Sequence, residues 1–306
     1  MTIDTEILSN EEKISFALRS LYHQRGYMPY RMGKFEDYEL YVKNKDFLPS
    51  SELISFTDTN GRLKALKPDV TLSIVRSARP EAGSVQKLYY DENVYRVSES
   101  SRCFKEIRQA GLECIGDLDA RCIAEVLGLA QESLRVISEE SVLSVSHLGI
   151  VSGMLDGLKL DGDARRRALG LIAGKNLHEL RALLNSCGAD GAAAEKLLTL
   201  SALSGTPGEL LPKLRALSCA PEYVEELARL TAELDQARLR FDFSILGDMR
   251  YYNTLAFQGY VRGVPSSVLS GGCYDRLLSR MGKPGRAIGF ACYLDKLERL
   301  EVSGHA

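Results

Sequence analysis

The stretch from about Val151 to Arg240 differs in character from the chain on either side of it. It is rich in Leu, Ala, Glu and Arg, and its apolar residues recur at helical spacing. Short Gly or Pro breaks divide it into Ala164–Ala173, Leu177–Leu184, Ala192–Leu203, Glu209–Leu217 and Tyr223–Arg240. Both flanking parts read as mixed strand and helix. Two strand-forming regions separated by a helical block are most simply joined in one sheet built from both ends of the chain. The expected architecture is therefore α+β, with a core from residues 1–150 and 241–306 and a helical insertion at 151–240. No internal repeat or low-complexity segment complicates this division.

The N-terminal part supplies most of the core elements. Glu11–Arg25 places Ile14, Phe16, Ala17, Leu18, Leu21 and Tyr22 at helical spacing, with Asn10 as N-cap and Gly26 as C-cap. Tyr27–Tyr41 reads as extended. Asn60–Gly61 between Ile54–Thr57 and Leu63–Leu66 is a hairpin signal. Pro68 opens a helix at Asp69–Ala78. Gln86–Tyr90 and Val94–Val97 read as strands joined at Asp91–Asn93. After a polar loop, Ser98–Arg102, the strand Phe104–Gly116 returns beside them. A helix at Leu118–Ile137 and a strand at Val142–Leu148 complete this half. Beyond the helical block, strand character resumes at Leu239–Ile245, and a helix at Tyr293–Leu300 closes the core.

Bulk properties exclude several classes of function. The formal net charge of −2 gives no electrostatic pull toward nucleic acid or an anionic membrane. The 7 cysteines form no CxxC pair and there are only 4 histidines, so neither a zinc site nor a disulfide framework is expected, and a reducing, cytoplasmic setting fits. The N-terminus is polar and acidic, unlike a signal peptide, and no apolar run approaches the roughly 20 residues that cross a bilayer. No P-loop, dinucleotide-binding glycine motif, HExxH or GxSxG is present. Arg165–Arg167 reads as a solvated helix face, and His147, ending an apolar strand, as a satisfied core residue.

Two groups of residues suggest a small-molecule pocket. Asp248–Leu278 holds paired tyrosines, Tyr251 and Tyr252, and then Gly271–Gly272 ahead of Cys273, Tyr274 and Asp275. Glycines at a strand-to-helix junction let backbone approach a ligand, and phenols offer a flat wall with a hydroxyl. The second group is dispersed: Asp69 and Thr71 at a helix start, Arg96 at a strand end, and Gln109 and Glu113 on one face of a strand. One cation among carboxylates and neutral polar groups can read a zwitterion, with Arg for its carboxylate and acids for its ammonium. The residues alone also permit first-turn helix chemistry for Asp69 and Thr71, a solvated strand face for Gln109 and Glu113, and plain packing for the tyrosines.

Taken together, these segments resemble the class II catalytic core of the histidyl-tRNA synthetase family, and still more the synthetase-like regulatory subunits of ATP phosphoribosyltransferase. LKPDVT (Leu66–Thr71) is similar to the family's LRP, acid, any residue, Thr. Tyr90–Gly116, with Arg96 early and QAGLECIG (Gln109–Gly116) late, is similar to class II motif 2. RYYNTLAF (Arg250–Phe257) is similar to DYYTGxxF, GGCYDRLL (Gly271–Leu278) to GGRYDxLL, and IGFACYLDKL (Ile288–Leu297) to motif 3. The resemblance covers nearly the whole chain.

It implies a mostly antiparallel sheet flanked by helices. Asp69, Thr71 and Gln109 would meet an amino acid's ammonium, Arg96 and Gln109 would lie near its carboxylate or an α-phosphate, and Glu113, Tyr252 and Tyr274 would surround an imidazole. Tyr251 joins them in a histidine-like pocket. The departures bear on catalysis. Gly247 and Cys273 stand where synthetases have arginines, Lys296 and Tyr293 where motif 3 has an arginine and a glycine, and Gly33 where motif 1 has its proline. The motif 2 loop is short, and the chain ends soon after motif 3, so an anticodon-binding module and tRNA selection are not expected. Losing cations preorganised at a reacting phosphate costs orders of magnitude in rate. The resemblance thus implies a non-catalytic subunit, with no cofactor or metal of its own, that assembles as a homodimer within a hetero-oligomer with a short-form catalytic subunit. It would mediate feedback by histidine in the first step of histidine biosynthesis. Two alternatives stay open: a stand-alone enzyme of amino-acid adenylation or amide formation, and a histidine sensor for another partner.

Overall fold

The computed structural model describes residues 7–45, 47–48, 50–81, 83–98, 101–247 and 251–297. The first six residues, positions 99–100 of the polar loop, positions 248–250 ahead of the paired tyrosines and the end of the expected last helix lie outside them.

The main sheet has nine strands, in the spatial order β1 (Met28–Pro29), β5 (Val85–Val97), β6 (Phe104–Gly116), β12 (Arg286–Tyr293), β11 (Leu269–Cys273), β10 (Leu255–Val261), β7 (Ser141–His147), β9 (Leu239–Asp242) and β8 (Ser204–Gly205). β1 runs parallel to β5 and β7 parallel to β9, and every other pair is antiparallel. The three C-terminal strands β10–β12 lie between β6 and β7, so the two ends of the chain share a sheet. A small second sheet, β2 (Phe35–Asp37), β4 (Leu63–Leu66) and β3 (Ser55–Thr57), is built on the Asn60–Gly61 hairpin. There the Asp58 carboxylate accepts from the Asn60 and Arg62 N–H groups at 2.8 Å each, and Gly61 takes a φ of +75° that favours glycine.

Helices cover the main sheet. α1 (Asn10–Gln24) and α4 (Ala120–Ile137) pack together against it, burying Leu18, Tyr22, Val126, Leu127 and Leu134. α1 is capped by Ser9 rather than Asn10, because Ser9 and Glu12 form a reciprocal capping box. α5 (Leu148–Gly157), α6 (Gly162–Ala173), α7 (Leu177–Ser186), α8 (Gly191–Ala202), α9 (Pro207–Leu217) and α10 (Pro221–Thr231) follow one another between β7 and β9. Their apolar faces, among them Ile172, Leu180, Leu197 and Leu227, belong to the same buried cluster as the sheet residues Val145, Phe241 and Phe257. Among the described residues no helix is long and apolar enough to cross a membrane.

Four expectations need correction. Tyr27–Tyr41 is not extended throughout: residues 38–43 form the short helix α2 (Tyr38–Lys43), which turns Tyr41 into a core beneath the small sheet. Asp91–Asn93 does not break the first motif 2 strand. These residues pair with Ala110, Gln109 and Arg108 inside β5, and Asp91 bonds the Ser15 hydroxyl at 2.5 Å and the Arg108 guanidinium. Their polarity, which reads as a turn, serves tertiary partners. The helix expected to run to Arg240 ends at Thr231, since Asp235 is held through both backbone polar groups by the Gln131 amide on α4 and caps a 3-10 turn at Gln236–Arg238. Finally, Tyr293 ends β12, paired with Gln109, and a 3-10 turn at Leu294–Leu297 follows it.

Candidate functional site

The residues singled out from dispersed parts of the sequence converge. Asp69, Thr71, Arg96, Gln109, Glu113, Tyr251, Tyr252 and Tyr274 all line one cavity of about 180 Å³. It is small beside the roughly 300–1,000 Å³ clefts that hold drug-sized ligands. Asp69 and Thr71 come from the start of α3 (Thr71–Ser77), where Asp69 Oδ1 accepts the Leu72 N–H at 2.7 Å and so sets the first turn. Arg96 comes from β5, Gln109 and Glu113 from β6, Tyr251 and Tyr252 from the segment before β10, and Tyr274 from the junction of β11 with α11 (Asp275–Arg280).

Gln109 and Glu113 are not on a solvated face. Both are buried, Glu113 to 2% exposure. Room for the Glu113 carboxylate exists because its cross-strand partner on β12 is Gly289, where a Cβ would lie 1.7 Å from Glu113 Oε2. The next position across, Gly272 on β11, makes the same allowance for Tyr252, whose ring a Cβ would meet at 2.4 Å. A row of missing side chains across the sheet therefore forms the floor on which the acid and the phenol sit.

Glu113 accepts hydrogen bonds from the Thr71 hydroxyl at 2.6 Å and the Tyr274 hydroxyl at 2.5 Å. Burial outweighs these two donors and pushes its carboxyl up to about 8. Burial also raises Asp69, against the opposing pull of Arg96 and the α3 N–H groups. The hydroxyls of Tyr251, Tyr252 and Tyr274 are held well above the ordinary phenol range, first by burial, so they remain donors. Tyr251 stands edge-on to Tyr252 at 4.8 Å, to Phe47 at 5.5 Å, and tilted against Tyr274 at 5.6 Å, making an aromatic wall.

Arg96 is the one cationic side chain among the described residues that line the cavity. Its Nε donates to the Pro68 carbonyl at 2.7 Å, and its two terminal nitrogens lie 3.7 Å from Glu52 and 3.8 Å from Asp69. The charge balance of the site is thus acidic, which favours an ammonium or imidazolium.

The positions at which synthetases keep further cations add none here. Lys296 donates to the Ser267 carbonyl at 2.7 Å and lies over the Tyr293 ring at 4.5 Å, outside the cavity lining. Cys273 is buried in the apolar core. Gly247 has a φ of +55°, and a Cβ there would sit 2.7 Å from the Tyr252 ring.

Several lining residues were not anticipated. Gly289, Ala291 and Tyr293 alternate along β12, and Ser270 stands two before Gly272 on β11, so strand alternation could have found them. Tyr293 stands where motif 3 of the synthetases has a glycine. Phe47 and Leu48, which close the cavity beside Tyr251, follow α2 and have no pattern that marks them. His147 is a satisfied core residue as expected: Nδ1 accepts the Gly149 N–H, Nε2 lies 3.3 Å from Glu226, and the ring stacks on Tyr223.

The chain is similar to several known proteins. The family model for histidyl-tRNA synthetase matches residues 4–297. A curated relative, the ATP phosphoribosyltransferase regulatory subunit of Oceanobacillus iheyensis, is 26% identical over 94% of this chain and 73% of its own length. A solved structure described as an ATP phosphoribosyltransferase regulatory subunit/histidyl-tRNA synthetase from Bacillus halodurans is 25% identical. It superposes with a TM-score of 0.83 over 97% of this chain and 81% of that one. The ATP phosphoribosyl transferase (HisG:HisZ) complex from Thermotoga maritima contains a chain of the same fold, with a TM-score of 0.74 at 20% identity, covering 93% of this chain and 97% of that one. The fold is that of the class II synthetases, and the chain belongs to the histidyl-tRNA synthetase family.

Proposed function

We propose that this chain is a non-catalytic regulatory subunit of ATP phosphoribosyltransferase. In this reading the core (residues 1–150 and 241–306) and its helical insertion (151–240) assemble in the cytoplasm, as a homodimer, with a short-form catalytic subunit. Histidine in the cavity shifts that complex toward its inhibited state, and tRNA has no part. The observation that carries the reading is the cavity's composition. A cavity of about 180 Å³ has Glu113, Thr71 and three phenols in its lining, while the positions that would stabilise charge on a reacting phosphate are Gly247, Cys273 and a Lys296 committed to the Ser267 carbonyl. A carboxylate and hydroxyls accept the N–H groups of an imidazole and an ammonium, and the phenol faces flank the ring. Among the described lining residues only Arg96 could polarise an α-phosphate, and Glu52 and Asp69 already face it. Regulation requires that histidine bind the two states of the complex with different affinity.

The test is phosphoribosyltransferase activity of a short-form catalytic subunit with and without this chain, titrated with histidine. Activation on mixing, with histidine inhibiting only the mixture, is expected. If mixing alters neither activity nor histidine response, the proposal fails. Glu113→Ala and Tyr252→Phe then locate the effector: each weakens histidine binding in calorimetry if the cavity is its site, and unchanged affinity in both rules the cavity out.

A further inference from the structure

The Arg96 guanidinium is already neutralised from within the chain. Its Nε is committed to the Pro68 carbonyl, one terminal nitrogen faces Asp69, and the other faces Glu52 on the 3-10 turn Ser50–Glu52. Asp69 is fixed by the first turn of α3 and lines the cavity. Glu52 has no place among the cavity-lining residues, yet it brings a second negative charge to the one cation among the described lining residues. Side-chain exposures of 29% for Arg96 and 19% for both carboxylates place the cluster in a half-buried setting, where such charges act with moderate screening.

From this geometry we infer that Glu52 is a specificity-determining residue: it acts as an internal substitute for a ligand carboxylate on Arg96. The inference rests on the reading of the cavity as a histidine site and refines it. A ligand's α-carboxylate entering beside Arg96 meets a guanidinium whose charge two acids already offset, so that carboxylate adds little to affinity. Recognition is then dominated by the ring and the ammonium, which Glu113, Asp69 and the phenols address. The turn holding Glu52 lies a few residues beyond Phe47 and Leu48, which close the cavity.

Calorimetry with two probes tests this: histidine, and histamine, which has the ring and the amine without the carboxylate. The wild-type chain is expected to bind both with dissociation constants within a few-fold of each other. Glu52→Gln leaves histamine binding unchanged and tightens histidine roughly tenfold, the size of one like-charge repulsion at several ångströms in a partly screened site. The ratio of the two affinities divides out any loss common to both ligands, and Glu52→Ala repeats the measurement should the glutamine make a bond of its own. A wild-type chain that already prefers histidine by a hundredfold, with a ratio that neither substitution changes, overturns the inference and leaves the histidine reading intact. Binding of neither probe by any variant overturns both.

Discussion

Replacing Glu113 by glutamine should make the stability of this protein less dependent on pH, and the structure sets the size of the effect. Glu113 is 2% exposed and its carboxyl is raised from 4.5 to about 8, chiefly by burial. The native state therefore retains a proton that the unfolded chain gives up once the pH passes the ordinary glutamate range. Stability from this group is fully present below about pH 4.5 and is lost progressively until the pH reaches about 8. At ~1.4 kcal/mol per pH unit the whole window amounts to ~5 kcal/mol. Water entering the cavity and movement of Thr71 and Tyr274 reduce it, and ~2–4 kcal/mol is expected. In Glu113→Gln the amide replaces the protonated acid. It can keep one hydroxyl as donor to its oxygen while the other hydroxyl turns to accept its N–H, and it has no charge to bury. Urea denaturation at intervals from pH 5 to pH 9 provides the measurement. The two proteins should be close in stability near pH 5. The variant should gain on the wild type as the pH rises, and the gap should level off above about pH 8. Parallel curves across that range would show that Glu113 is ionised in the native state throughout, and would refute the account of the cavity as a site that disfavours its own negative charge until a ligand arrives. The same property has a binding signature. A cationic ligand restores the carboxylate, so binding near pH 7 releases a proton, detectable by calorimetry in buffers of different ionisation enthalpy.

Three other perturbations follow from the same geometry. Tyr274→Phe removes a hydroxyl donor from Glu113 and leaves the carboxyl less satisfied in a buried place; a loss of about 1–3 kcal/mol in denaturant unfolding is expected, and an unchanged midpoint would count against the bond. Gly247→Arg, which reinstates the synthetase residue, meets both a left-handed φ of +55° and the Tyr252 ring. It should cost about 1–3 kcal/mol in thermal unfolding without bringing amino-acid-dependent pyrophosphate exchange, and recovered exchange would overturn the non-catalytic reading. Lys283→Met deletes an ammonium that donates to the carbonyls of Val75, Arg76 and Ala78 at the end of α3. A loss of about 1–2 kcal/mol in a thermal melt is expected, and no change would mean that solvent replaces the clamp at no cost.

The parts of the fold legible in the sequence are those whose determinants are local. The 13-residue strand Phe104–Gly116, the Asn60–Gly61 hairpin and the helices from Ala164 to Leu217 were readable because periodicity and turn chemistry act within a few residues. The errors fall where a distant partner decides. Asp91–Asn93 looks like a turn until Ser15 and Arg108 are seen to satisfy Asp91, and the end of α10 depends on the Gln131 amide more than a hundred positions away. Residues 38–41 read as extended until Tyr41 is seen to be buried on a helix. The site shows the same division. Eight of its lining residues could be proposed because motif order names them, whereas Phe47, Leu48 and Ser270 have no motif, and Glu52 acts on Arg96 across 44 positions of sequence.

Sequence by itself determined which residue types are available for chemistry: two acids, one arginine, a set of phenols, and glycine, cysteine and lysine where a synthetase would place other residues. It also determined the strands and helices that hold them, because hydrophobic period and backbone preference are properties of short segments. Only the tertiary structure decided what those groups experience. The glycine row across β12 and β11 makes room for a carboxylate and a phenol within the sheet. Burial, rather than any neighbour in sequence, raises the Glu113 carboxyl, and Glu52 and Asp69 decide how much of the Arg96 charge remains for a ligand. Solvation and Coulomb interaction depend on distance in space, and distance in space is set only when the two ends of the chain close into one sheet.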